Sequence, residues 1–469
     1  MPRSHCRIAL LAVALSVGLP TAAAAAPPLR LEEVLRSVVE THPGIEAADR
    51  KVDQARGKEF AARGGFDPEL TIRGKYAPIG YYQNGQVDVL VRQATPAWGL
   101  GVFAGYRIGL GTFPAYRGGA ETLSGGELRA GIDIPVWRDG PIDARRAKIQ
   151  RTKIQRDGAQ RSRDATQLAN ERKAASAYWA WVAAGQRLRV ARDLLAIAER
   201  RDAGLNEQAA AGAIERIKLV DNRRLVLDRM GKVVTAERKF EQASLKLSLF
   251  LRDADQKTIR VGEDRVPTDF PEPGQIDVTS DDGEVDAALA RRPDLAALDA
   301  TREAAQVDVR LAKNQRAPSV NVQSYVAKDI GNGVAELQPV EWGVGVMVGM
   351  PLPLREARGN YRAAKAGLAT VDAERRGLRD RIGAEVRSAL VALRAAQQSI
   401  LLARQQVSAA DQLADAERIR FSEGASDLVT VNLRELAAAD AANQEIDALA
   451  DYHRAVADFM TASGRSPTS

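Results

Sequence analysis

The sequence predicts a mostly helical protein with a small β part, built from two copies of one strand-and-long-helix unit. Three observations carry this. Pro43 and Pro68 recur as Pro293 and Pro318 at the same separation; the run Ala144 to Ala210 holds no proline; and short stretches before each long helix alternate apolar with small or polar residues.

The duplication extends beyond the prolines. Ile45, Ala48, Val52, Ala55 and Ala62 fall opposite Leu295, Leu298, Arg302, Ala305 and Ala312. Further on, Leu188, Ala191, Leu195, Ala198, Ala209 and Gly212 fall opposite Ile400, Ala403, Val407, Ala410, Phe421 and Gly424. The spacing is far longer than the 20–50 residues of solenoid units, so each copy is a domain-sized half. The halves are expected over 27–252 and 284–464, joined by a crossover at 253–283 and followed by a disordered tail at 465–469.

Residues 1–26 read as a secretory signal, because Arg3 and Arg7 precede the apolar run 8–19 and small residues at 22–26 offer a cleavage site. Cys6 is the only cysteine, so the mature chain is expected to carry no disulfide, thiolate nucleophile or lipid anchor. No later stretch reaches the roughly 20 apolar residues of a membrane helix, and any membrane span must therefore be a barrel.

Strands are expected at about 69–76 and 127–135 in the first half, and at about 319–326 and 341–351 in the second. Leu70, Ile72 and Tyr76 oppose Thr71, Arg73 and Lys75; Trp342, Val344, Val346 and Val348 oppose Glu341 and three glycines. A soluble sandwich alternates too, so alternation alone leaves both readings open. Export, too few strands for a sandwich core, and aromatics near strand ends (Tyr76, Trp137, Tyr325 and Trp342) favour a barrel with outer-membrane lipid around it. Four strands cannot close one, since such barrels need at least about eight, so oligomerisation follows. The first half also carries an excursion at 85–126, where Val87, Val89 and Val91 alternate, as do Leu100, Val102, Ala104, Tyr106 and Ile108. It is expected to form a hairpin projecting beyond the barrel, the rival being added barrel strands.

The long helical hairpins are expected over 144–251 and 361–462. Val386, Leu393, Ile400, Val407, Ala414 and Phe421 recur every seven residues, with Ala389, Ala396, Ala403 and Ala410 between them. That is the seam of a left-handed supercoil in which alanine lets the backbones approach closely. Trp181, Ala184, Leu188, Ala191, Leu195, Ala198 and Leu205 repeat it. Gly212 and Gly424 are the expected turns of the hairpins, ordinary linker glycines being the alternative.

Several chemistries find no support. The histidines, His5, His42 and His453, do not stand at ligand spacing, so no metal or other cofactor is expected. Glycines at 99–105 neither follow a strand nor open a helix, as a dinucleotide loop must. The net charge of +6 is spread among acids along the helices, whereas nucleic-acid binding needs a basic cluster. No nucleophile elbow appears, and catalysis is not expected.

The chain resembles the TolC-like outer-membrane efflux channels over about 31–464. The resemblance rests on the His42-Pro43 and Arg292-Pro293 helix starts, the strand-then-long-helix order in both halves, the tip Phe421-Ser422-Glu423-Gly424-Ala425-Ser426-Asp427-Leu428, and the small-polar end at 459–464. It implies a homotrimer in which four strands per chain form a twelve-stranded outer-membrane barrel continued by a periplasmic coiled-coil tunnel. It also implies a tip that docks a periplasmic adaptor protein coupled to an inner-membrane pump or ATP-driven exporter. The implied function is export of drugs, metals or other small molecules. The alternatives are one-step (type I) protein secretion and, from another class, a soluble periplasmic scaffold. Phe421, Glu423, Gly424, Ser426 and Asp427, with Ala209, Gly212 and Glu215, are the implied gate and docking residues, against solvated turns as the alternative. The first half departs from the pattern: Ala209 stands opposite Phe421, so no second aromatic is available there.

Overall fold

A computed structural model describes residues 27–114, 121–274 and 280–467. The expected signal at 1–26, with Cys6, lies outside the described residues.

Each half opens with a short helix, a tight corner and a longer helix. These are α1 (Leu31–Thr41) and α2 (Pro43–Arg63) in the first half, α5 (Asp281–Arg291) and α6 (Pro293–Asn314) in the second. Pro43 and Pro293 sit at the first helical position, where proline's fixed φ suits the helix and its missing N–H costs nothing. His42 caps α2, its Nδ1 accepting from Gly44 N at 3.1 Å. The second half begins earlier than expected, because Ser280 caps α5 by accepting from Gly283 N.

Strands follow: β1 (Glu69–Ala77), β2 (Asn84–Ala94), β3 (Gly101–Gly111), β4 (Glu127–Pro135), β5 (Ser319–Asp329) and β6 (Glu341–Gly349). They make one antiparallel sheet in chain order. Four strands were expected and six are present. The excursion is not a projecting hairpin; β2 and β3 are inserted between β1 and β4, with Ile72 opposite Val89, Val89 opposite Tyr106, and Tyr106 opposite Leu128. The physical reason is that both segments carry the same apolar alternation as their neighbours and match them in length, so they complete ladders that would otherwise stay unpaired.

Four long helices complete the chain: α3 (Ala144–Ala210), α4 (Arg216–Ser248), α7 (Arg355–Ser422) and α8 (Leu428–Ala462). α3 and α7 have 67 and 68 residues, roughly 100 Å each. Most of the expected α7 seam is buried, namely Val386, Ala389, Leu393, Ala396, Ile400, Ala403 and Ala414, while Val407, Ala410 and Phe421 are only half-buried. The main core lies midway along the rods. There Trp181 is fully buried and donates to Ser244 Oγ at 3.1 Å, and Tyr178 donates to the Leu29 carbonyl at 2.8 Å. The crossover docks on this core, with Phe270 stacked on Trp179 and Tyr452 donating to the Gly274 carbonyl.

The expected tail begins in a fixed position. Arg465 pairs with Glu284 at 3.1 Å and lies over the Phe459 ring, because α8 ends against α5.

Candidate functional site

Both hairpin turns use a left-handed glycine. Gly212 has φ 72° and Gly424 has φ 77°, and Ala213 N and Ala425 N reach back to the carbonyls of Gln208 and Arg420 at 2.9 and 2.8 Å. This arrangement satisfies helix-end carbonyls that would otherwise face only water. A Cβ at either glycine would touch nothing within 4 Å, so the requirement is conformational rather than steric.

The two tips differ in their side chains. In the second, Asp427 caps α8 by accepting from Thr430 N at 2.8 Å, a bond that holds its carboxyl below the ordinary value. Ser426 Oγ donates to the buried Glu417 carboxylate, and Glu423 is exposed at the helix C-cap. In the first tip, Glu215 stands at the α4 N-cap without a side-chain cap bond and is exposed, while Ala209 lies half-buried in the last turn of α3. Phe421 has no aromatic partner in the first tip. Its ring lies 5.9 Å from the Arg201 guanidinium of α3, which takes the facing position.

Behind the tips sits a cluster that sequence reasoning missed. One Glu435 oxygen accepts from Arg201 on α3, and more distantly from Arg418 on α7 at 3.4 Å. The other accepts from Arg229 on α4 at 2.8 Å. A single carboxylate from α8 therefore ties together all four long helices. Arg229 also donates to the Leu194 carbonyl at 2.7 Å, and Arg201 to Asn432 Oδ1 at 2.5 Å. Burial pushes the Arg201 guanidinium below its usual range; Glu435 opposes this, and the nearby Arg229 and Arg418 add to it. Unlike most acids spread along these helices, Glu435 is buried. A signal was available in the phase: Arg229 falls in the apolar row of Leu225, Val233 and Phe240, and Glu435 in the row of Val431 and Ala438, where an unpaired charge is not tolerated.

At the other end of the molecule, the sheet has two distinct faces. Leu70, Ile72, Val87, Val91, Val102, Leu128, Val326, Val344 and Val346 lie on one face and are exposed. The opposite face is polar, with Arg107 paired to Glu127, Arg129 to Asp88 at 2.6 Å, and Gln323 donating to Asp133 at 2.7 Å. Tyr76 and Trp342 stand on the apolar face at the end away from the helices, and Trp137 follows β4 at the helix end. Tyr325 does not join them. It alternates with Val326, so its hydroxyl lies on the polar face and donates to Glu341 at 2.6 Å. Trp98, not singled out beforehand, is the aromatic exposed beside Trp137's end of the sheet. Among the described residues, no group of three or more His, Cys, Asp or Glu side chains is placed to hold a metal.

Residues 285–465 match the family model described as "Outer membrane efflux protein". No curated protein matches the chain. Several solved structures match across nearly its whole length. The outer-membrane channel OprN is similar with 16% identity and a TM-score of 0.68, covering 94% of this chain and 91% of that one. The Campylobacter jejuni CmeC outer membrane channel covers 100% and 95%, with 15% identity and a TM-score of 0.64. The Neisseria gonorrhoeae MtrE outer membrane channel, solved in its open state, covers 93% and 89%, with 16% identity and a TM-score of 0.65. The chain carries the outer membrane efflux protein domain in its second half and, over its full length, has the fold of the TolC-like outer-membrane channels.

Proposed function

We propose that this chain is one protomer of a homotrimeric outer-membrane channel that passes small molecules out of the cell from the periplasm or from an inner-membrane pump. The observation that carries the reading is the sheet: six strands, apolar on one face and charged on the other, with β1 and β6 left as unpaired edges. Unpaired backbone N–H and C=O groups are too costly in lipid to persist, and six strands fall short of the roughly eight that a barrel needs. An even strand number places β6 of one copy antiparallel to β1 of the next, so copies of the chain close a barrel without breaking the alternation.

The helices call for the same partner. α4 has an inward row, Leu225, Arg229, Val233, Phe240 and Leu247, that packs within the chain. Val220, Leu227 and Val234, spaced by heptads, are exposed on it. A second apolar seam of this spacing suits a neighbouring long helix of another copy. In this reading residues 1–26 are the secretory signal, the rods form a periplasmic tunnel, and no lipid anchor is used. Tyr76 and Trp342 face the outer membrane's external boundary, Trp98 and Trp137 its periplasmic one. The tips at Gly212 and Gly424, with Ala209, Glu215, Phe421, Glu423, Ser426 and Asp427, form the constriction and meet a periplasmic adaptor. The chain acts as a conduit, and no step of this role requires catalysis. A soluble scaffold is disfavoured because it has no use for an exposed apolar sheet face with open edges.

The test is extraction of the protein from outer membranes, followed by mass measurement in detergent and insertion into planar bilayers. Three chains per particle and ion conduction are expected. A chain that stays monomeric and soluble without detergent overturns the reading.

A further inference from the structure

We propose that β2 and β3 cross the membrane as full members of the barrel wall, so that three chains close an eighteen-stranded barrel. The proposal rests on the trimeric outer-membrane reading and adds to it the width of the pore.

Four features of the sheet carry it. First, β2 pairs with β1 along all of β1, from Glu69 opposite Arg92 to Ala77 opposite Asn84, and with β3 from Asn84 opposite Gly111 to Ala94 opposite Gly101. Nothing of β2 extends past the ladder as a projecting hairpin would. Second, the apolar rows run through both strands without interruption, Val89 and Tyr106 being half-buried among exposed neighbours. One row is Ile72, Val89, Tyr106 and Leu128; the next is Leu70, Val91, Ala104, Ala130, Val326 and Trp342. An apolar surface of this extent, outside a membrane, would face water at roughly 25 cal/mol per Å². Third, the polar face is knit across the same strands. Arg129 of β4 reaches over β3 to Asp88 of β2, and Arg107 of β3 pairs with Glu127 of β4.

The fourth feature is the turn between the strands. A hairpin standing outside the barrel would carry its turn away from the helices. Here the turn at 95–100 sits at the helix end: Gly99 lies so close to the Asp139 carbonyl that an added Cβ would come within 2.4 Å of it, and a Cβ at Gly140 would come within 2.8 Å of the Trp98 indole nitrogen. Gln93 also donates to the Phe66 carbonyl, three residues before β1. The chain therefore crosses the full height of the sheet four times between Glu69 and Pro135, where two crossings would suffice for a four-stranded unit.

The consequence is a wide lumen. With about 4.8 Å between strands and a tilt of roughly 40°, eighteen strands span about 36 Å between backbones, against about 24 Å for twelve. Barrels of 16 to 18 strands leave an open aqueous channel, and the paired charges of the polar face suit hydrated cargo. The membrane section would then pass bulky hydrated solutes, and size selection would fall to the periplasmic tips.

The test uses full-length protein in isolated outer membranes. Cys6→Ser removes the sole cysteine. Ile72→Cys with Val89→Cys, direct neighbours in the sheet, is expected to join with a short thiol cross-linker. Ile72→Cys with Leu128→Cys, in the same row but two strands further away, is expected not to join. End-on electron-microscopic averages of detergent trimers should show a ring about one half wider than a twelve-stranded barrel gives. A cross-link between positions 72 and 128, or trimers with the narrow ring, overturns the eighteen-stranded barrel while leaving the channel intact. A monomeric particle overturns the channel reading itself.

Discussion

Arg229 and Glu435 lie 206 positions apart in the chain, yet their side chains meet at 2.8 Å with neither exposed to solvent. Glu435 pairs with Arg201 and Arg229 and, more distantly, with Arg418, which also pairs with Asp415 on its own helix, so one negative charge links the helices of both hairpins. Removing one member of a buried pair commonly costs about 3–5 kcal/mol, because the partner keeps its charge without compensation. Glu435→Gln is therefore expected to lower the thermal midpoint of helix loss sharply and to raise ion leak through bilayer-inserted channels. Arg229→Leu with Glu435→Leu should recover part of the stability. A Glu435→Gln protein with unchanged melting and leak would show that the cluster neither stabilises nor closes the tips.

Gly424 turns the second tip with φ 77°, a conformation that costs an ordinary L-residue about 1–2 kcal/mol. No neighbouring atom obstructs a side chain there, so Gly424→Leu should fold and assemble. Normal trimers with normal conductance are expected, together with loss of export measured as substrate accumulation in cells. Normal export would remove Gly424 from the docking and gating surface, and loss of trimers would restrict its role to folding.

Ala403 is buried on α7 in the row that includes Ala396 and Ile400. Extra methylenes in such a seam typically cost about 1–3 kcal/mol. Ala403→Leu should lower trimer melting by several degrees, whereas Leu402→Ala, on the exposed side of the same helix, should leave the single chain's packing unaffected. Equal melting of Ala403→Leu and the unaltered protein would contradict the close approach.

His453 stacks on Trp179 at 4.2 Å, with Phe270 5.9 Å from it and 5.8 Å from Trp179, and donates to the Pro271 carbonyl from Nε2 at 3.1 Å. Burial lowers its pKa from 6.5, and the Pro271 bond only partly offsets this. A depressed folded pKa means that the unfolded chain takes up the proton first. The contribution is thus complete above 6.5 and is lost as pH falls through the folded value. His453→Phe keeps the stack and should shrink the difference in thermal midpoint between about pH 8 and about pH 5. Some dependence should persist, because His42 is lowered as well. An unchanged difference would place the acid sensitivity elsewhere.

Much of this architecture was legible in the chain because it is set by local rules. Pro43 and Pro293 open helices, Gly212 and Gly424 turn them, and the heptads from Val386 to Ala414 mark a seam, since each depends on backbone geometry within one or two turns. Alternation likewise identified β1, β4, β5 and β6. What alternation does not contain is a partner. Val87, Val89 and Val91 read the same in a projecting hairpin as in a sheet, and only the register of β2 against β1 and β3 decides between them. Tyr325 shows the same limit in miniature: its position near a strand end suggested a boundary aromatic, while the pleat placed its hydroxyl beside Glu341. The charge cluster lay furthest from view, because whether Glu435 is solvated or buried depends on which helices surround it, and those come from both halves of the chain. Local propensity and periodicity determined the elements; which elements stand side by side, and so which charges lose their water, was decided by tertiary packing.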